Sequence, residues 1–214
     1  MARPKVPESK SESGPKAPDK PWVNQLNVTD SPFGVIDIGS NSVRLVVYDG
    51  LRRTPIPLFN EKIFCGLGKS VSASGRIEGA AAESTITTLR RFAALLRLMQ
   101  VQHIDAVATA AVREAKNGAE FIAGLSREIG IAIRIISGAE EGALSAQGVL
   151  AGNPRANGLA GDLGGSSIEL IAIADGAQGR AETLPLGPLK LHRPSELAAA
   201  QIERLKVQRF GLLE

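Results

Sequence analysis

A chain of 214 residues with 43% apolar residues and a formal charge of +3 can bury a core, but carries too little positive charge to argue for DNA or other nucleic acid. The single cysteine, Cys65, excludes an internal disulfide, and with only His103 and His192 beside it argues against a zinc site. That lone thiol in an apolar run fits a buried structural role and a cytoplasmic location, and no apolar run is long enough to span a membrane.

Residues 1–32 carry Pro4, Pro7, Pro15, Pro18, Pro21 and Pro32 among Lys, Glu and Ser, a composition that cannot offset ordering entropy. Lacking the apolar stretch of a secretory signal, they are expected to form a disordered tail. Order is expected from Phe33. Residues 33–37 read as a buried strand and 43–48 as a second, joined by a tight turn over Gly39–Ser42. Asp49-Gly50 is a hairpin signal, and 56–65 can supply a third strand. The period then changes: Ile86, Leu89, Phe92, Ala93, Leu96 and Met99 recur at helical spacing, giving a helix over about 78–102. A short strand at 105–110 follows. Asn117-Gly118-Ala119-Glu120 has the form of a capping box, with Gly130 as the stop. After a strand at 131–136, Ser137-Gly138-Ala139-Glu140 opens a further helix to about residue 150. The order β-β-β-α-β-α-β-α places a meander beside a parallel half-sheet.

The chain also repeats itself. Aligning Asp37 with Asp162, an offset of 125, sets Ile38 on Leu163, Gly39 on Gly164, Ser42 on Ser167, Val43 on Ile168 and Leu45 on Leu170. The hairpin signal recurs as Asp175-Gly176. Small residues after each Asp let the backbone turn sharply and approach a ligand. Successive N–H groups in such a turn make a concave anion site, and hydroxyls add donors. Gly39, Ser40, Asn41 and Ser42, with Gly164, Gly165, Ser166 and Ser167, are therefore candidate phosphate-binding residues. Asp37 and Asp162 are candidate carboxylates for a divalent cation that shares phosphate oxygens.

Four stretches together resemble one family. Phe33-Gly34-Val35-Ile36-Asp37-Ile38-Gly39-Ser40-Asn41-Ser42 is similar to the first phosphate loop of the exopolyphosphatase / guanosine pentaphosphate phosphohydrolase family. Gly161-Asp162-Leu163-Gly164-Gly165-Ser166-Ser167-Ile168-Glu169-Leu170 resembles its second loop. Thr109-Ala110-Ala111-Val112-Arg113-Glu114-Ala115 resembles its Thr-x-x-x-Arg segment, and Ile135-Ile136-Ser137-Gly138-Ala139-Glu140-Glu141 its Ile-Ser-Gly-x-Glu-Glu segment. The matches cover about residues 33–190 in family order. The resemblance implies an α/β, actin-like ATPase (ribonuclease H-like) fold. It further implies a Mg2+-dependent phosphohydrolase acting on the end of inorganic polyphosphate, or on guanosine pentaphosphate (pppGpp), the alarmone of the stringent response, to give ppGpp. In that family the second Glu of the pair is the general base, which here is Glu141, and Arg113 would neutralise phosphoryl charge. Local geometry agrees: Glu140, third after Ser137, is the reciprocal capping partner, whereas Glu141 lies about 100° further round the helix and is free to face a cleft. The Glu-Glu pair argues against a sugar kinase or chaperone. One departure is Ser166, which stands where a third glycine is usual; if that position needs positive φ, Ser166 is strained by roughly 1 kcal/mol or more.

The repeat is also a ruler. Only 52 residues follow Asp162, against the 125 that separate the two motifs. The expected division is a tail over 1–32, a complete unit over 33–156 and a partial second unit over 157–214, with strands near 159–162, 168–174 and 181–184 and a helix near 195–209. Such a chain fits a truncated or frameshifted gene, or a fragment. An incomplete sheet leaves an open edge that a homodimer could cover. Weak or absent turnover is therefore also expected, the alternative being a phosphate-binding module without catalysis.

Overall fold

The computed structural model describes residues 31–190. The expected tail, up to residue 30, and the expected helix at 195–209 lie outside the described residues. The chain runs β1 (Phe33–Ile38), β2 (Ser42–Tyr48), β3 (Pro57–Phe64), α1 (Leu67–Ser74), α2 (Gly79–Leu98), β4 (His103–Ala108), α3 (Ala110–Glu114), α4 (Gly118–Ile129), β5 (Ile133–Ile135), α5 (Gly138–Gly152), β6 (Gly158–Leu163), β7 (Ile168–Ala174) and β8 (Ala177–Leu184). These form a five-stranded sheet of order β3-β2-β1-β4-β5 and a three-stranded sheet of order β6-β7-β8. In the first sheet an antiparallel meander is extended by the parallel strands β4 and β5, the ribonuclease H-like arrangement that the family resemblance implies.

Alternation along β1 and β2 sends Ile36, Ile38, Val43, Leu45 and Val47 to one face, where they are buried with Leu89, Phe92 and Leu96 of α2 and Ile122 and Leu125 of α4. Each such side chain is worth roughly 1.5–3 kcal/mol in area removed from water. The approach is close because residue 34 is glycine: a Cβ there would lie 2.7 Å from Leu96 Cδ2. Asp37, on the opposite parity, points away from this core. Cys65 is buried in it, its Sγ 3.7 Å from the Thr88 hydroxyl.

The second sheet is covered differently. α5 packs on it, with Ala146 against Ile171 and Ile173. The division expected at residue 156 leaves α5 with the first unit, whereas the helix rests on the second sheet. Asp175 (φ 50°) and Gly176 (φ 72°) make the left-handed two-residue turn that joins β7 to β8, as their sequence implies. By contrast Asp49-Gly50 opens a longer loop, closed where Asp49 N donates to Ile56 O (2.9 Å) and Ile56 N to Asp49 Oδ1 (2.9 Å). Among the described residues β6 pairs only with β7, leaving Leu159 56% and Leu163 64% exposed beside the open edge. No helix among the described residues is long and apolar enough to cross a membrane.

Two expectations of capping are corrected. Asn117 precedes α4 but does not cap it; its amide instead brackets Ile77, accepting from Ile77 N (2.9 Å) and donating to Ile77 O (2.9 Å). At α5 the Ser137 hydroxyl does accept from Glu140 N (3.1 Å), but the Glu140 carboxylate does not reach back. It takes Arg134 Nη1 at 2.7 Å on the exposed side. A strong cation within reach outcompetes a backbone N–H that water can satisfy.

Candidate active site

The two repeated turns have the same backbone closure. Gly39 N donates to Ser42 O at 3.0 Å, and Gly164 N to Ser167 O at 2.9 Å. They meet at the seam between the sheets: a Cβ on Gly165 would lie 3.0 Å from Ser40 Cβ, so glycine is needed for close approach. Ser166 is not strained, because the only described non-glycine residues with positive φ are Gln100 and Asp175. Its hydroxyl donates to Ser40 Oγ at 2.9 Å, and both residues are nearly closed to solvent, at 3% and 4% exposed. The position where strain was expected is thus a fastening between the loops.

Between the loops lies a cavity of about 390 Å3. Asp37, Gly39, Ser40, Asn41, Ser42, Glu141, Asp162, Gly164, Gly165 and Ser167 all line it, and Lys62 and Thr109 are also in its wall. Two expected site residues do not line it: Ser166, bonded to Ser40, and Arg113, which sits behind Glu141.

Glu141 is placed by the first turn of α5. Its N–H bonds Ser137 O (2.9 Å), and its side chain turns inward while that of Glu140 turns out to Arg134. Arg113 Nη1 lies 3.2 Å from Glu141 Oε2 and 2.7 Å from Ile136 O, so the guanidinium is fixed to the strand end that carries α5. Burial raises the Glu141 pKa; the hydrogen bond and charge of Arg113 oppose it, Asp162 adds to it and the Thr109 hydroxyl lowers it. Asp37 is pushed to about 6, first by burial, then by Glu141 and Asp162, with Arg44 and Lys62 pulling the other way. The residue touches solvent, but only within a concavity where protein surrounds it on most sides. Asp162 accepts a hydrogen bond on Oδ2 from the Ser145 hydroxyl.

The residue that the sequence reasoning passed over is Glu169. It is cross-strand partner to Asp162 in the β6–β7 register and only 1% exposed. Neither carboxylate oxygen has a hydrogen bond of normal geometry among the described residues. Burial raises its pKa to about 7; the Ser167 hydroxyl and Arg113 pull it down, while Glu141 and Asp162 push it up. A signal was present: Glu169 shares the inward parity of Ile171 and Ile173, and an acid on a core-facing strand position needs a reason.

Among the described residues no three carboxylates converge as a ready cage for a bare metal ion. Mg2+ does not need one, since it keeps several waters and takes one or two carboxylates together with phosphate oxygens. Asp37 and Asp162, which line the cavity, are carboxylates of that kind, and Glu169, without a hydrogen bond of normal geometry among the described residues, is the cross-strand neighbour of Asp162.

With this geometry in view, comparison with known proteins is specific. The profile of the Ppx/GppA phosphatase family matches residues 45–209. "Exopolyphosphatase 1" of Mycobacterium leprae is 32% identical over 164 residues, covering 75% of this chain and 48% of the relative. "Exopolyphosphatase 2" of Mycobacterium tuberculosis is 35% identical over 147 residues, covering 64% and 46%. The crystal structure of an exopolyphosphatase from Cytophaga hutchinsonii superposes with a TM-score of 0.71 at 32% identity, covering 78% of this chain and 54% of that one. A Ppx/GppA family member from Aquifex aeolicus gives 0.68 at 27% identity, covering 82% and 59%. The chain thus spans about half the length of the curated relatives it matches. The fold is the actin-like one, its second unit partial relative to these structures.

Proposed function

The chain belongs to the Ppx/GppA phosphatase family, and from that premise we propose that its cavity binds the end of an inorganic polyphosphate and hydrolyses the terminal phosphoanhydride. The observation that carries this reading is the meeting of the two repeated anion loops across one cavity that also holds Glu141. Backbone N–H groups of Ser40, Asn41 and Gly165, with the Ser42 and Ser167 hydroxyls, cradle phosphate oxygens, while the Gly39 and Gly164 N–H groups close the two turns. Lys62 attracts the chain at the wall. Glu141 orients a water and takes its proton as the water oxygen bonds to the terminal phosphorus. The bridging P–O bond breaks, giving orthophosphate and a chain one unit shorter. Arg113 keeps the Glu141 carboxylate aimed and offsets charge that builds on the phosphoryl group.

Four carboxylates, Asp37, Glu141, Asp162 and Glu169, would repel a polyanion without a cation. Asp162, Glu169 and Asp37 are the residues that would hold Mg2+, which when bound would supply charge neutralisation of the phosphate oxygens. The raised pKa of Glu141 suits a base working near neutrality, since it favours accepting a proton.

A second reading, binding without turnover, is favoured by one observation: among the described residues the second sheet has three strands where the first has five. Phosphate release from polyphosphate, pppGpp and ATP, with and without Mg2+, alongside equilibrium binding of polyphosphate, separates the two. Mg2+-dependent release supports the hydrolase. Binding without release supports the second reading, and absence of both overturns each. The ratio of rates on polyphosphate and pppGpp, which share the terminal anhydride, assigns the substrate.

A further inference from the structure

The Ser145 hydroxyl is not used by the mechanism above, yet it is the group that holds Asp162. α5 places Ser145 one turn beyond Glu141 on the same face. A serine within a helix commonly bonds back to the carbonyl four residues before it. Here the hydroxyl instead donates across to Asp162 Oδ2. The reach is possible because α5 lies close on the sheet: a Cβ on Gly142 would stand 3.2 Å from Ile171 Cγ1 and 3.5 Å from Glu169 Cβ, and Ala146 is fully buried.

The chemistry of this partner matters. Asp37 has Arg44 and Lys62 to lower its pKa, and Glu141 has Arg113. Asp162 is held by a neutral donor, which fixes a carboxylate without cancelling its charge. A cation cannot compete well for a carboxylate already paired with a guanidinium, but it can share one steadied by a hydroxyl. We propose that Ser145 is a positioning residue: through its bond to Asp162 it sets the site's affinity for a divalent cation, and α5 thereby fixes the base and the cation's ligand on one rigid element. This rests on the reading of Asp162 as a cation ligand.

The test is calorimetric binding of Mn2+ to the full chain, without substrate, for wild type, Ser145→Ala and Ser145→Thr, with melting temperatures as a check on folding. Loss of such a supporting contact is expected to weaken Mn2+ about tenfold in Ser145→Ala. Ser145→Thr, which keeps the hydroxyl, should stay within about twofold of wild type by the same argument. Equal affinity in wild type and Ser145→Ala, equal weakening by both variants, or no Mn2+ binding by wild type would each overturn the proposal. If Mn2+ affinity follows the hydroxyl while wild type releases no phosphate, the positioning role stands and it is the hydrolase reading that fails.

Discussion

Two cross-strand rows each bring an aspartate to the cavity, Asp37 from one and Asp162 from the other, and they have the same backbone but opposite charge logic. In the first sheet Asp37 stands beside Arg44, and Arg44 beside Lys62. In the second, Asp162 stands beside Glu169, and Glu169 beside Thr183. The offset of 125 that aligns the two Asp residues also aligns Arg44 with Glu169. The first row compensates its own carboxylate. The second carries two carboxylates with no basic partner in the row, one of them buried without a hydrogen bond of normal geometry among the described residues. On the proposed function the duplicated anion loop is divided in role: the first row would meet a phosphate chain directly, whereas the second would call for a cation.

The largest expected break in this asymmetry is Glu169→Gln. Phosphate release should fall roughly 100- to 1,000-fold as the cation is lost, measured at saturating polyphosphate. The same change removes an uncompensated buried charge, so the metal-free protein should gain about 1–3 kcal/mol at pH 8 by thermal or urea unfolding. Stability and activity moving in opposite directions would separate this residue from an ordinary core position. The pH dependence has a definite sign. Glu169 titrates at about 7 in the fold against 4.5 as its ordinary value, so the folded protein holds an extra proton between those limits. Its contribution to metal-free stability is therefore full below 4.5 and lost as pH rises through 7. Asp37, at about 6, adds to the same slope, and Glu169→Gln should flatten it.

Next in size is the contrast between the two aspartates. Asp162→Asn should lower release about tenfold more than Asp37→Asn, because Asp37 has basic neighbours and Asp162 has only the Ser145 hydroxyl; Mg2+ titrations of release check this. Equal losses would mean the rows are functionally alike. Gly165→Ala comes third. The added Cβ meets Ser40 Cβ at 3.0 Å and must part the loops, so KM for polyphosphate should rise about fivefold with a stability loss of about 1–3 kcal/mol. Arg44→Gln is the mildest: it should raise the Asp37 pKa further, read by NMR titration, and weaken polyphosphate binding by about two- to threefold at low salt.

The same contrast explains what was legible in the sequence. Strong local signals carried through: the alternation of β1 and β2, the heptad-like spacing of α2, the Asp175-Gly176 turn and the Ser137 cap. So did the placement of Glu141 inward and Glu140 outward. α1 was missed because Leu67–Ser74 mixes strong helix formers with Gly68, Val71 and three serines and is bounded by Gly66 and Gly75, both left-handed, which read as loop. α3, five residues long, is shorter than a helical period can reveal. Asn117 has the sequence of a cap, but a tertiary partner 40 residues away claimed its amide. Glu169 escaped because matching apolar residues reveals a repeat, whereas Glu169 stands at a β7 position where the copies differ in charge, aligned with Arg44 of β2. The Ser40–Ser166 fastening spans 126 residues and depends on how the sheets meet, which no local pattern encodes.

The central claim is that Glu141 is the base acting between these two rows. It is tested most directly by pre-steady-state phosphate release from polyphosphate with saturating Mg2+, comparing wild type with Glu141→Gln, with binding measured in parallel. The account predicts release by wild type, a fall of about 1,000-fold in the variant, and polyphosphate affinity within a few-fold of wild type. Equal rates in the two proteins, or a loss of rate fully explained by lost binding, would contradict it.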